Sequence, residues 1–401
     1  MRIAIIGSKG IPARAGGIER HVEELAPRLA KRGFRVTVYT RPWYTGTRKT
    51  SHGNVRLVPL ASIKTKHLDA ITHTLLATLH AMKERFDIYH YHGVGPALLA
   101  WIPRVFRPSA KVIVTFHCLD RRVEKWGALA RTVLKFGEWA ATHFAHKTIV
   151  VSKSLAHYCR EVYDCAAVYI PNGVKVSKPL IKDNAVLEKL GLSKGRYVVM
   201  VSRLIRSKNA DTLVDAWKRL KATATDLRVL GMKLVIVGDG DANDPYVWEV
   251  RAKAAGSKDI VLAGARYAGE LHALIAGSAF AVHPSASEGL PIAVLEKMAH
   301  GKAVLTSNIP EHLEIVEGRG FTFRLEDTRD LMLQLYWMLT HPRACADMGR
   351  EAKKHVASYF NWEKIAKETS LVYTTLAQKP AKKSVRKAAF PLAGARRVSA
   401  A

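Results

Sequence analysis

Residues 1–17 read Met1-Arg-Ile-Ala-Ile-Ile-Gly7-Ser-Lys-Gly10-Ile-Pro-Ala-Arg-Ala-Gly16-Gly17. The apolar run Arg2–Ile6 is too short for the core of a signal peptide and fits a first buried strand. After the glycine-rich stretch, Ile18, Val22, Leu25 and Leu29 fall at helical intervals, one apolar stripe facing a sheet. Strand, glycine loop and helix open a Rossmann-like unit. Pro27 sits inside the helix and lacks a backbone donor, so a kink or an early stop is expected there.

The alternation continues. Apolar runs follow at Phe34–Thr40, Val55–Leu60, Phe86–Tyr91, Lys111–His117, Lys147–Val151 and Val168–Ile170. A second series is Tyr197–Val201, Lys233–Val237, Ile260–Ala263, Phe280–His283, Ala303–Thr306 and Phe321–Phe323. These runs are rich in Val, Ile and Tyr and nearly apolar throughout, as strands covered on both faces are. Strand–helix–strand order implies parallel sheets with right-handed crossovers. The polar, lysine-rich stretch Lys175–Asn184 separates the series. The expected class is α/β, two Rossmann-like doubly wound parallel-sheet domains facing a cleft, over residues 1–174 and 185–358. A helix over about 360–378 is expected to cross back onto the first unit.

The 401 residues suit two domains at roughly 100–200 residues each. Hydrophobic residues make up 48% and charged residues 24%, which is enough to build real cores. No run approaches the roughly 18 apolar residues that read as a membrane span. Cys118, Cys159, Cys165 and Cys345 form no CxxC pair and read as free thiols of a reducing compartment, so a cytoplasmic location is expected. The net charge is +29. Part of it lies in residues 379–401, a tail rich in Ala, Ser and Pro that reads as disordered. Such a field attracts polyanions, including an anionic membrane surface, so a peripheral position on the inner face of the cell membrane is also expected. A solvated basic surface is the plainer alternative.

In doubly wound folds, ligands bind beyond the carboxyl ends of the strands. There stands the Gly7–Gly17 loop, whose glycines let backbone approach a ligand at a helix start that favours anions. After Tyr197–Val201 come Arg203 and Lys208, a fork and a point charge able to clamp a diphosphate, or simply a solvated pair. After Phe280–His283 comes Pro284-Ser-Ala-Ser-Glu288-Gly-Leu-Pro-Ile-Ala-Val-Leu-Glu296-Lys-Met-Ala-His-Gly301. Pro291 suits the first helical turn. That places Glu288 in the preceding loop and Glu296 in the second turn, some distance apart along one elongated ligand, unless both are surface glutamates. His117 and Asp120 end a strand of the first unit, where His90 and His92 end the one before. Any of the histidines can be structural, and His90 is read so. Asp239-Gly-Asp241 looks like a DxD metal motif but sits between glycines and is read as a tight turn.

Taken in order, these segments resemble glycosyltransferase family 4, the retaining GT-B enzymes. The matching residues are Gly16-Gly17, Val168-Tyr-Ile-Pro-Asn-Gly173, Val201-Ser-Arg-Leu with Lys208, Val235-Ile-Val-Gly-Asp-Gly240, Glu288…Glu296 and Phe360-Asn-Trp362. The opening residues, with His117-Cys-Leu-Asp120 and Glu124-Lys-Trp-Gly127, look like a bacterial polysaccharide rhamnosyltransferase subgroup. The resemblance implies a sugar moved from a nucleotide-diphosphate donor to a glycan or polyprenyl-linked acceptor. Arg203 and Lys208 would neutralise the leaving diphosphate, Glu288 with Gly289 and Leu290 would hold the donor sugar, and Glu296 the ribose. Gly16 and Gly17 would present N–H groups, Arg266 and its neighbours would meet the base, and His117 would sit near the sugar. His92 and Asp120 would face the acceptor. No metal and no cofactor would be needed. Ser202 and Asn209 depart from the glycines usual in the family, and Asn209 is expected to alter its turn.

A nicotinamide-dependent oxidoreductase would need GxGxxG after the first strand, and the gap from Gly10 to Gly16 is too long for it. A GT-B-like sugar-nucleotide epimerase shares the fold but would not carry the series through Glu296. Nucleic acid is not expected as a partner, since no helix-turn-helix, zinc or RNP motif accompanies the charge.

Overall fold

The computed structural model describes residues 1–14, 16–65, 68–122, 127–176 and 185–378. The tail from residue 379, most of the Lys175–Asn184 stretch and residues 124–126 of the subgroup motif lie outside the described residues.

Fourteen strands are described, in two sheets. The first sheet contains β1 (Arg2–Ile6), β2 (Arg35–Thr40), β3 (Ser51–His52), β4 (Val55–Pro59), β5 (Ile88–His92), β6 (Lys111–Phe116), β7 (Lys147–Val150) and β8 (Val168–Tyr169). Its order is β3-β4-β2-β1-β5-β6-β7-β8, parallel except for the β3–β4 pair. The second sheet holds β9 (Tyr197–Val201), β10 (Lys233–Val237), β11 (Ile260–Gly264), β12 (Ala281–His283), β13 (Val304–Ser307) and β14 (Phe321–Phe323). Its order is β11-β10-β9-β12-β13-β14, parallel throughout. Every apolar run read as a strand forms one. The two-residue β3 was not read, because it has no apolar pattern to read.

Both sheets bury both faces, which is why the runs lack alternation. In β1, Ile3 and Ile5 pack with Val22, Leu25 and Leu29 of the first helix (Gly17–Lys31), while Ala4 and Ile6 join Tyr89, Tyr91 and Val114 on the other face. The first helix does not stop at Pro27 but runs to Lys31. A proline costs a helix interior about 3 kcal/mol. Burying Leu25 and Leu29 returns about 1.5–3 kcal/mol each, which outweighs it.

The order of each sheet fixes where ligands go. Connections from β1 run one way to β2 and β4 and the other way to β5; those from β9 run to β10 and to β12. The crevices therefore open after β1 and β5, and after β9 and β12. The final helix (Trp362–Gln378) leaves the second domain and packs on the first. Ile365, Ala366 and Tyr373 join the β1 core, and Arg28 pairs with Glu363 at 3.0 Å. Gly173 lies against the Trp362 ring with no room for a side chain.

Trp362 is buried at this junction. Replacing it with Ala should cost about 3–5 kcal/mol. Thermal unfolding measures this, and an unchanged midpoint would show that the final helix adds nothing to the first domain.

Candidate functional site

Glu288 lies in the loop that leaves β12, at the crevice of the second sheet. Its Oε1 accepts from Lys208 Nζ in an ion pair and from His283 Nε2 at 2.8 Å. Burial alone would raise its pKa, but the Lys208 charge and the His283 contact reverse this and hold the carboxyl well below its usual range. The turn carrying Lys208, Arg206–Lys208, is clasped to this loop. Ala286 N donates to Ser207 O at 2.9 Å, and Asn209 Nδ2 to Pro284 O at 3.1 Å. Asn209 adopts the left-handed conformation, with φ of 51°.

Behind Glu288 the cluster continues inward. His283 Nδ1 is 3.1 Å from Lys297 Nζ, and His312 stacks edge-on to His283 at 5.3 Å between centroids. Burial lowers the Lys297 ammonium to about 7. Cys118 lies close by, its thiol pushed up by burial and then by Asp120, whose Oδ1 accepts from Sγ at 3.1 Å.

The helix Ile292–Ala299 begins directly after Pro291 and carries Glu296 in its second turn. Glu296 faces the first domain, with Arg20 Nε 3.7 Å away, and burial raises its pKa against that pairing. A cavity beside it is lined by Arg20, Glu24, Gly173, His272, Ile292 and Glu296. Gly289 touches the first domain directly: a Cβ there would collide with the backbone carbonyl of His117. Leu290 is buried, and its carbonyl accepts from Asn172 Nδ2 at 2.7 Å.

At the other crevice, His92 and His117 end β5 and follow β6. His92 Nδ1 is 3.1 Å from His117 Nε2, and His21 of the first helix stands edge-on to His117. His21 Nδ1 bonds Asn172 Oδ1 at 2.8 Å. Burial keeps all three rings neutral, holding His21 down to about 4 and the other two well below their ordinary value. His90 bonds the Tyr373 hydroxyl at 2.6 Å and Thr115 Oγ1 at 2.7 Å, a structural histidine with both nitrogens engaged. Gly16 caps the first helix at φ 107°, and Gly17 opens it with nothing within 4 Å of where a Cβ would stand.

Glu288, Gly289, Lys208 and His117 are therefore brought together, with His92 behind His117. Glu296 stands across from Arg20. Arg203 is exposed in the loop after β9, where its carbonyl accepts from Ile205 N and Ser202 Oγ, both at 3.1 Å. Arg266 bonds Ala263 O at 2.9 Å and pairs with Glu270 at 3.4 Å. Asp239 pairs with Arg251 at 3.2 Å, and Asp241 accepts from Asn243 N at 3.1 Å, as turn residues do. Two groups bring ligand-type atoms within 4.8 Å of one another: His21, His92 and His117, and His283, Glu288 and His312. In the first, the rings bond one another and Asn172. In the second, Lys208 and Lys297 already place positive charge around the carboxylate. Sequence reading missed His21, His283, His312 and Lys297. The only signal was that His283 ends a strand and Lys297 breaks the apolar face of a helix.

Residues 15–178 match the family model described as Glycosyltransferase Family 4, and residues 184–355 the model described as Glycosyl transferases group 1. The glycogen synthase of Mycobacterium tuberculosis is 27% identical over 93% of this chain and 94% of its own length. The UDP-Gal:alpha-D-GlcNAc-diphosphoundecaprenol alpha-1,3-galactosyltransferase of Escherichia coli is 26% identical over 70% of this chain and 73% of its own. The solved sucrose-phosphate synthase of Thermosynechococcus elongatus superposes with a TM-score of 0.78 at 22% identity, over 94% of this chain and 98% of that one. At that identity the likeness is one of fold, GT-B.

The contrast between two glycines tests the contact across the cleft. Gly289→Ala should destabilise by about 1–3 kcal/mol as the loop is pushed off His117. Gly17→Ala, in open space, should stay within about 0.5 kcal/mol of wild type. Equal thermal midpoints for the two variants would remove Gly289 from the interface.

Proposed function

The chain belongs to glycosyltransferase family 4, a GT-B glycosyltransferase with a sugar-nucleotide donor, and on that premise we propose that it transfers a hexose or deoxyhexose, with retention, to a glycan or lipid-linked acceptor in cell-surface polysaccharide or glycolipid biosynthesis. The observation that carries the proposal is the ionised Glu288, held by Lys208 and His283 at the crevice of the second sheet and pressed by Gly289 against His117 of the first. A fixed carboxylate accepts from sugar hydroxyls, and a fixed lysine beside it meets the phosphate charge that grows as the donor bond breaks.

In this reading Lys208 and Arg203 neutralise the departing diphosphate, so no metal is required. Glu296 takes the ribose hydroxyls, Arg266 and its backbone the base, and the N–H groups at Gly16 and Gly17 the diphosphate or the acceptor. His117 lies by the sugar, with His92 and Asp120 on the acceptor side. The acceptor hydroxyl attacks from the face the diphosphate leaves, and no protein nucleophile is assigned. Retention comes with the family resemblance.

A lipid-linked acceptor fits one surface. On the helix Ala128–His143, Leu129, Val133, Phe136 and Trp139 form an exposed stripe beside the exposed Arg131 and Lys135. Trp101, Val105 and Phe106 are exposed on the helix Trp101–Phe106, which Arg104 ties to His146. No helix among the described residues is long and apolar enough to cross a membrane. Apolar side chains between cations suit the surface of an anionic bilayer.

Thermal stabilisation by UDP, dTDP, GDP, ADP and NAD tests the donor class. One nucleoside diphosphate at about 100 times its dissociation constant should add about 2.7 kcal/mol. Glu296→Ala and Lys208→Ala should each lose most of that shift, whereas stabilisation by NAD alone would sink the reading. In vesicle co-sedimentation, anionic lipid should retain the wild type and release Phe136→Asp. Equal binding to neutral and anionic vesicles, or none to either, would refute the membrane surface.

A further inference from the structure

Lys297 has no part in the function proposed above, yet it is the one wholly buried lysine among the described residues. Its Nζ reaches His283 Nδ1 at 3.1 Å and the Val201 carbonyl at 3.4 Å. Val201 ends β9 and His283 ends β12, so the ammonium bridges the two strands between which the ligand crevice opens. An ammonium has donors only. His283 Nδ1 must therefore accept, which leaves the ring proton on Nε2, 2.8 Å from Glu288 Oε1. The direction is then fixed along the whole row: Lys297 donates to His283, and His283 donates to Glu288.

We propose that Lys297 is a positioning residue that locks His283 in its neutral Nε2–H form and thereby holds the Glu288 carboxylate in place. The use of Glu288 on a donor sugar rests on the function proposed above; the coupling of Lys297 to His283 does not. Burial first and Lys297 second hold His283 neutral, so without the lysine the ring would take a second proton more readily beside the Glu288 carboxylate. The ring would then compete with Lys208 for Glu288 as a second cation. The charged and titratable groups around Lys297 are His283, Glu288 and Lys208 toward the crevice, Glu296 on its own helix, and His312 behind His283. Burial brings the ammonium down to about 7. A neutral amine can donate to Nδ1 or accept from it, so above that pH the lock weakens, and the Glu288 carboxylate alone favours the proton on Nε2.

Ring-nitrogen NMR of the histidines decides this on the full chain without donor, with His283→Ala used to assign the signal. At about pH 6 the wild-type ring should be neutral with its proton on Nε2. In Lys297→Met the same ring should take its second proton at a higher pH than in the wild type. With an active donor, Lys297→Met should lose about tenfold in kcat, with KM changed less than about twofold. The double variant with His283→Ala should lose no more than the worse single one. A wild-type ring that is charged, or protonated on Nδ1, at about pH 6 overturns the proposal even if the Met variant fails to fold. So does a Lys297→Met ring that takes its second proton at no higher pH than the wild type, whatever happens to kcat. If no form turns over any donor, the spectra still decide the coupling, and it is the function that fails.

Discussion

An ionised carboxylate shielded from water needs its field answered by fixed partners, and the second domain is arranged around answering that of Glu288. Lys208 pairs with it, His283 donates to it, and Lys297 stands behind His283. Removing one partner of a buried pair leaves an uncompensated charge, at a cost of about 3–5 kcal/mol. The loops that carry these groups therefore cannot move independently. The Lys208 turn is clasped to the Glu288 loop by backbone at 2.9 Å and by Asn209 at 3.1 Å. The crevice between β9 and β12 is thus a set of loops whose shape is enforced by electrostatics as well as by packing.

The two domains meet in a different way. Polar contacts cross between them, Lys153 N to Glu314 at 2.8 Å, Ser154 to Glu311 at 2.8 Å and Arg20 to Glu296 at 3.7 Å, beside a buried apolar cluster that runs from Val94, Phe116 and Leu155 of the first domain to Leu290, Val294 and Ile315 of the second. The apolar cluster carries more of this seam than its one ion pair, Arg20 with Glu296, since exposed ion pairs contribute about 0–1 kcal/mol. Asn172 adds a buried polar link, its amide joining His21 of the first helix to the Leu290 carbonyl of the second domain. Breaking it would strand two buried polar groups. A stiff donor loop thus meets the first domain across a seam that is apolar as well as hydrogen-bonded, so opening the cleft exposes part of the shared cluster.

What could be read in the sequence was local. Doubly covered strands show as apolar runs and the first helix as a stripe, because both depend on neighbours a few residues away. Glycine contacts such as Gly289 on His117 showed only as motif letters. The misreading of Pro27 came where tertiary packing decided the outcome: Leu29 beneath the final helix carries the first helix through it. The inner cluster was not readable at all. His21 and Asn172 are 151 residues apart, and His283 and Lys297 are 14 apart on different elements. Their meeting follows from strand order, which no short-range pattern encodes.

The unequal covering of the first sheet is what the proposed membrane contact rests on. One face is sealed by the first and last helices, whose outer sides carry Arg28, Arg32 and Glu363 in ion pairs with one another. On the other face, the helix Ala128–His143 leaves Leu129 80% and Phe136 62% exposed. An outer helix of a freely soluble protein turns its polar side to water. Here large apolar side chains alternate with Arg131 and Lys135 on a chain of net charge +29. A protein partner would have to supply both an apolar groove and matching acids. An anionic lipid surface supplies both at once, and it would present a lipid-linked acceptor from the side of the first domain.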